Sequence, residues 1–395
     1  MRYLGNKRHL LESIERAASA IGFERGTVCD LFAGSGRVGR HFRSRGSRVL
    51  ATDLMACSHV FQKVFLELPG PPPFTEYRTA FDLPPPLPAE RIASALPADP
   101  VAWEATLRVL AHFEELPPEE GMLTRQYSPA GVAGRMYLRE ENAARCDAML
   151  GELRRAIAAN LLTEPETFLL LATIIDAVDR VANISGTYGA YLKKWHGNAL
   201  ADLSLKLPAV VEGPIGCGNL RDASEWIEEV DADFLYIDPP YNQRQYASNY
   251  HLLDIVARIP FEPDLSAFEA TVYGKTGLVP WREKSSVLCS RRGSECRDAF
   301  ASILSRARVP RVVISYNEEG IISRAEFEEI LAEYAGVARA KLGKVLEEIP
   351  YRRFRSDADG RVSSTGAERQ YRELPGRERN EVHEWLFSVA KRGAR

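Results

Sequence analysis

The sequence predicts an open α/β fold, a largely parallel sheet flanked by helices, with a mainly helical segment inserted into it. Three observations carry this expectation. Residues 28–53 alternate strand, glycine turn, helix and strand, which is a βαβ unit. Phe234, Leu235 and Ile237 make a short apolar strand that stops at Asp238-Pro239-Pro240-Tyr241. Between these two stretches, residues from about 100 to 206 follow helical spacing and lack strand alternation.

In chain order, Leu10, Leu11, Ile14 and Ala17 or Ala18 recur at helical spacing and predict a helix over 8–20. A strand over 28–32 leads into Ala33-Gly34-Ser35-Gly36-Arg37-Val38-Gly39. Gly34 and Gly36 permit a tight strand-to-helix turn and a close backbone approach to a ligand. A helix to about 45 and a strand over 48–52 follow, with Asp53 at the end, where an acid commonly meets a ribose hydroxyl pair. No Gly-Lys-Ser/Thr follows the turn, and the third glycine of the dinucleotide pattern is missing, so phosphate ligands are disfavoured. Asp30, just before the turn, suits an amino or ammonium group by charge sign. A ligand with a ribose and a positive end is implied, and S-adenosylmethionine fits. The competing reading of the glycine turn alone is an ordinary helix entry.

Residues 69–100 are proline-rich and read as an irregular crossing. Helices are expected over 101–116, 140–160 and 164–183. The stretch 182–195 mixes glycines, Tyr188, Tyr191, Trp195 and the pair Lys193-Lys194. Rings beside lysines suit a nucleic-acid surface; a helix terminus with lysines reaching out to water is the competing reading. The α/β alternation resumes near 210, and Asp222 precedes a short helix over 223–230. Pro239 and Pro240 lack N–H groups and fix a rigid exit from the strand before them. Asp238 and Tyr241 are thereby held at the carboxyl edge of the sheet, where open α/β folds bind ligands. A carboxylate, a proline carbonyl and a flat ring together can grip a planar, amine-bearing nucleobase; the alternative is a Pro-Pro turn with an N-capping acid.

A polar-aromatic run from Arg244 to His251 opens a helix to 258, and residues 273–292 form a basic loop. A helix over 297–307, a strand over 309–316 and a helix over 324–334 follow. Residues 351–372 read as a basic hairpin or loop, and a last strand over 382–389 closes the sheet. The chain of 395 residues, 45% hydrophobic and 27% charged with a formal charge of −3, is an ordinary globular composition. That charge does not advertise nucleic-acid binding, which depends on local basic faces rather than the sum. The six cysteines show no Cys-x-x-Cys pair and no histidines at zinc spacing, so reduced thiols and no metal site are expected. With no apolar signal region or membrane-length run, a cytoplasmic protein is expected, nucleoid-associated when bound to DNA.

These motifs resemble the D12 class of adenine-specific DNA methyltransferases, which includes Dam-type and restriction-modification enzymes. Arg2-Tyr3-Leu4-Gly5-Asn6-Lys7-Arg8 is similar to the opening cofactor motif of that class, with Tyr3 where Dam-type members often carry tryptophan. Asp30-Leu31-Phe32-Ala33-Gly34-Ser35-Gly36 resembles its methionine-binding turn and Asp238-Pro239-Pro240-Tyr241 its catalytic motif. Asn242-Gln243-Arg244-Gln245-Tyr246 with Asn249-Tyr250-His251, Gly274-Lys275-Thr276-Gly277 and the run from Ala182 to Trp195 resemble the restriction-modification branch in particular. The resemblance implies a Rossmann-like methyltransferase sheet in two parts, residues 1–68 and 208–395, around an inserted target-recognition domain, residues 69–207. It implies S-adenosylmethionine held by Tyr3, Lys7, Asp30, Phe32, Gly34, Gly36, Asp53 and Asp222, with Asp222 on the cofactor adenine. The implied partner is duplex DNA, bound through Lys193, Lys194, Arg244, Lys275, Arg282, Lys284, Arg291, Arg292, Arg352, Arg353 and Arg355, with a cognate restriction endonuclease encoded elsewhere. An adenine-directed RNA methyltransferase and a catalytically inactive nucleic-acid-binding regulator are the rival readings, and a nicotinamide-dependent oxidoreductase is a third.

Overall fold

A computed structural model describes residues 7–83, 101–343, 345–352 and 381–393. Seven strands form one sheet: β1 (Thr27–Asp30), β2 (Arg48–Asp53), β3 (Cys217–Leu220), β4 (Phe234–Ile237), β5 (Arg311–Asn317), β6 (Leu346–Arg352) and β7 (Glu381–Ala390). Their order across the sheet is β3-β2-β1-β4-β5-β7-β6. β1 pairs in parallel with β2 on one side and β4 on the other, and only β7 runs antiparallel to its neighbours β5 and β6. The chain leaves β1 toward one edge and returns through β4 toward the other. The carboxyl ends of β1 and β4 therefore flank the crevice where such sheets bind ligands. This is the Rossmann-like α/β architecture that the sequence predicts.

The central strands are buried on both faces, as parallel sheets require. Every residue of β4 and β5 is buried. Neighbouring residues alternate between two cores, as a period of two demands. Val28, Phe234 and Val313 enter the core on one face. Cys29, Leu235, Val312 and Ile314 enter the core on the other.

The inserted helices join the first of these cores. The Glu164–Val181 helix starts with a capping box, in which Thr163 and Glu166 satisfy each other's backbone N–H groups. It packs against the Ala56–Gln62 and His251–Arg258 helices. Leu169, Leu170, Ile174 and Val178 share one cluster with Val28 and Phe234. Leu68, Phe74, Leu205 and Leu207, on either side of the boundaries expected at 69 and 207, also belong to that cluster.

Several elements differ from expectation. The first strand ends at Asp30, because the glycine turn takes over the chain directly after it. Leu31 and Ala33 still donate to the Tyr236 and Thr52 carbonyls, so the exit stays tied to both neighbouring strands. The Ala56–Gln62 helix, which continues as a π-turn over Lys63–Glu67, was not expected. Neither β3 nor β6 was individually expected. Pro350 within β6 is tolerated because β6 is an edge strand. Residue 344 and the stretches 1–6, 84–100, 353–380 and 394–395 lie outside the described residues, as do Tyr3, Arg353, Arg355 and the side chain of Arg352.

Candidate active site

Three strands deliver acids to one edge of the sheet: Asp30 ends β1, Asp53 ends β2, and Asp238 follows β4. They open on one cavity, lined also by Lys7, Phe32, Gly34, Asp222, Pro240 and Tyr241. Gly36 stands behind the lining with φ +70°, where it shapes the turn. Pro239 is buried.

Asp30 is 1% exposed. Its Oδ2 accepts the Gly39 N–H at 3.0 Å, while Oδ1 is buried without a partner. Burial pushes its carboxyl up to about 7 against that hydrogen bond, with Asp238 and Asp53 adding to the rise. A buried oxygen left unpaired calls for a donor, and an ammonium group brought into the cavity supplies one. Asp53 accepts Gly34 N at 2.8 Å and Met55 N at 2.9 Å, which fixes both the acid and the glycine turn. Burial carries it to about 6. Asp222 caps the Ala223–Trp226 helix by accepting Ser224 N at 2.7 Å while facing the same cavity.

Beyond the end of β4, the Lys7 ammonium lies 3.0 Å from Asp238 Oδ1 and 2.6 Å from Glu384 Oε1. Lys7 is 6% exposed and Glu384 3%. Burial acts to lower the Lys7 pKa, but the two acids carry it well above its usual range. Asp238 is raised to about 6, first by burial and then by Glu384, with Lys7 opposing. Glu384 is held in turn by the Ser315 hydroxyl of β5. The Lys7 ammonium is thus paired with two protein acids at the wall of the cavity. Tyr241 packs edge-on to Tyr316, with ring centroids 6.4 Å apart, and its carbonyl accepts Ile321 N at 3.2 Å. Tyr316 OH is fixed by Ile321 N and Ile322 N, so the pair of rings is braced from behind.

The expected DNA-contacting residues divide. Lys193, Lys194, Arg244, Lys275, Arg282, Arg291 and Arg292 are exposed. Lys284 is placed differently: it lines the cavity, with its ammonium 2.6 Å from Asp254 Oδ2. Lys275 stands on a tight hairpin closed by the Tyr273–Leu278 bridge. Arg135 holds the Gly274 and Lys275 carbonyls of this turn, and Tyr127 OH holds that of Gly277. The 182–195 stretch is organised by Asn183, whose amide donates to Met136 O and Leu192 O and whose Oδ1 accepts His196 N. Tyr188 is fully buried, with its hydroxyl on Asp179, so it stacks on no base in this arrangement. The lysines beside it remain on the surface.

Sequence reasoning missed Glu384, Ser315 and Asp254. A carboxylate in phase with Val382 and Leu386 on the expected strand 382–389 was the available signal for Glu384.

The D12 class N6 adenine-specific DNA methyltransferase family matches residues 3–77 and 112–302. The chain is similar to the type II methyltransferase M.FokI of Planomicrobium okeanokoites, 32% identical over 393 residues, 99% of this chain and 53% of that one. It is 31% identical over 366 residues to the type II methyltransferase M.NlaIII of Neisseria lactamica, covering 90% of this chain and 93% of that one. It is also 31% identical over 361 residues to the modification methylase StsI of Streptococcus sanguinis, covering 90% of this chain and 49% of that one. The chain thus spans about half the length of the first and third of these relatives.

Proposed function

The chain belongs to the D12 class of N6 adenine-specific DNA methyltransferases, and on that footing we propose that it methylates the exocyclic N6 amine of adenine at a specific site in duplex DNA. The observation that carries this reading is the placement of Asp238 and the unpaired Asp30 oxygen on one cavity at the carboxyl edge of β1 and β4.

Asp30 would hold the amino end of S-adenosylmethionine, Asp53 its ribose, and Asp222 its adenine, with Phe32 and the Gly34 turn against its length. Bound there, it supplies an electrophilic methyl group on a positively charged sulfur. The adenine amine is a poor nucleophile because its lone pair is delocalised into the ring, and in a duplex it is paired and stacked. The base is flipped out, at a cost of a few kcal/mol. Tyr241 stacks on it, while Asp238 and the Pro239 carbonyl accept hydrogen bonds from the two amine protons. These bonds strengthen as the nitrogen becomes pyramidal and its protons more acidic, so they favour the transition state over the bound base. The new N–C bond forms as the S–C bond breaks, and the surplus proton leaves the nitrogen toward Asp238 and on to water. No covalent enzyme intermediate is needed.

Lys193, Lys194, Arg244, Lys275, Arg282, Arg291 and Arg292 would meet phosphates around this cavity, and the helical insertion would read sequence. A restriction endonuclease of the same specificity is the expected companion, since the relatives are named as type II or modification methylases. The test is transfer of tritiated methyl groups to unmethylated plasmid DNA and, in parallel, to structured RNA. Label in DNA that disappears in Asp238→Ala, with cofactor binding retained, supports the reading. Label in RNA alone overturns it in favour of an RNA enzyme.

A further inference from the structure

We propose that Glu384 is a positioning residue for the transfer step: it shares the Lys7 ammonium with Asp238 and so keeps Asp238 a strong hydrogen-bond acceptor for the target amine. The inference rests on the methyl-transfer reading above.

The geometry is a chain of contacts across three strands. The Ser315 hydroxyl on β5 holds Glu384 on β7, Glu384 Oε1 lies 2.6 Å from Lys7 Nζ, and Lys7 Nζ lies 3.0 Å from Asp238 Oδ1. Lys7 and Glu384 are 377 residues apart in the chain and both buried, so the contact exists only in the closed sheet. Neutralising Lys7 needs one acid, and Asp238 alone would do it. The second acid leaves two carboxylates around one ammonium, a surplus negative charge in a buried place. Such a charge costs stability.

Its use follows from what Asp238 has to do. A carboxylate wholly paired to a lysine is a weak acceptor, because the cation withdraws its electron density and lowers its proton affinity. Dividing the ammonium between two acids returns part of that affinity to Asp238 while still fixing Oδ1 in place. Among the described residues, the groups that interact with Asp238 or share its partners include Lys7, Glu384, Asp30, Tyr236, Tyr241 and Tyr246. Lys7 is the cation among them, while Arg244 acts on Tyr241. How strongly Lys7 pulls on Asp238 is therefore set by Glu384, held in place by Ser315.

The experiment uses the full chain with Glu384→Gln and Ser315→Ala, unmethylated plasmid DNA and tritiated S-adenosylmethionine, from pH 5 to pH 9. Glu384→Gln should lower kcat about tenfold, less than the removal of a directly contacting group. It should move the acid limb of the kcat profile to lower pH by about one unit, because a like charge near Asp238 has been removed. Cofactor affinity measured by calorimetry should stay within about twofold of wild type, a split that a merely structural role does not produce. Ser315→Ala should shift both quantities in the same direction by less, and it decides the matter if Glu384→Gln fails to fold. An unmoved acid limb, or a loss expressed in cofactor affinity with kcat intact, overturns the proposal. Absence of label with the wild-type chain overturns the methyl-transfer reading itself, which keeps the two failures apart.

Discussion

Replacing Asp30 by asparagine should make the cofactor-free protein more stable and the enzyme worse. Asp30 is 1% exposed, its carboxyl lies at about 7 instead of 3.8, and burial is the leading cause. In the folded protein the charged form is the disfavoured one, so the sign is the reverse of the usual ion-paired acid. Stability falls as pH rises from the unfolded value near 3.8 toward the folded value near 7, and the full penalty applies above that. A displacement of about three units is worth about 4 kcal/mol. Asparagine removes that penalty and can still accept the Gly39 N–H, but it buries an amide with unmet donors, at a cost of about 1–3 kcal/mol. The expected net gain is about 1–3 kcal/mol at pH 8, shrinking and then reversing as pH falls toward 5 and below. Urea unfolding of the cofactor-free protein across pH 5 to 8.5 measures it. Cofactor affinity should fall about 10- to 100-fold with the removal of a charged acceptor, and the wild-type weakening of affinity below pH 7 should vanish in the variant. If Asp30→Asn is less stable than wild type at every pH, the carboxylate is compensated by something other than the cofactor and the reasoning fails.

Further expectations follow from single contacts. Gly36→Ala forces a side chain into a left-handed conformation at φ +70° and places a Cβ 3.0 Å from Phe65 Cδ2. It should cost about 1–2 kcal/mol in urea unfolding and weaken cofactor binding, because the adjoining Gly34 turn lines the cavity. Lys284→Ala leaves Asp254 buried without its ammonium, although Ala56 N still donates to it at 2.6 Å. A destabilisation of about 3 kcal/mol or more is expected at pH 8, with weaker cofactor binding as its functional sign; an unchanged urea midpoint contradicts it. Asn183→Ala strips hydrogen bonds from Met136 O, Leu192 O and His196 N and should cost about 2–4 kcal/mol. Combined alanine replacement of Lys193, Lys194, Lys275, Arg282, Arg291 and Arg292 should flatten the salt dependence of duplex binding by about 0.9 for each phosphate no longer neutralised. A slope equal to wild type removes those residues from the interface.

The reach of the sequence can be judged residue by residue. The turn at Gly34 and the strand-end positions of Asp53 and Asp238 were legible from local marks, whereas the end of the first strand at Asp30, two residues short of the expected limit, was not. A period of two, a glycine at positive φ and a proline without an N–H leave marks within a few positions. The helical insertion was legible for the same reason, whereas its shared core with the sheet was not. Leu169 and Val178 carry no sign of whether they face each other or Phe234. Pro350 concealed β6, since proline argues against a strand until the strand is known to lie at an edge.

Glu384 marks where local reading ends. In the run Val382-His383-Glu384-Trp385-Leu386 an acid is most simply read as an outward position on an alternating strand. Val382 and Leu386 share its phase and are buried, so the acid points inward with them. That orientation is stable only if a cation waits there, and the cation comes from residue 7, at the opposite end of the chain. The same reasoning applies to Lys284, whose basic surroundings suggested a phosphate contact until Asp254 supplied a nearer acid. Lys7 and Lys284 each meet an acid that their own sequence neighbourhood does not supply. Asp238 is the clearest case, because its motif is local while the ammonium it meets is on Lys7 and is shared with Glu384, both outside that motif.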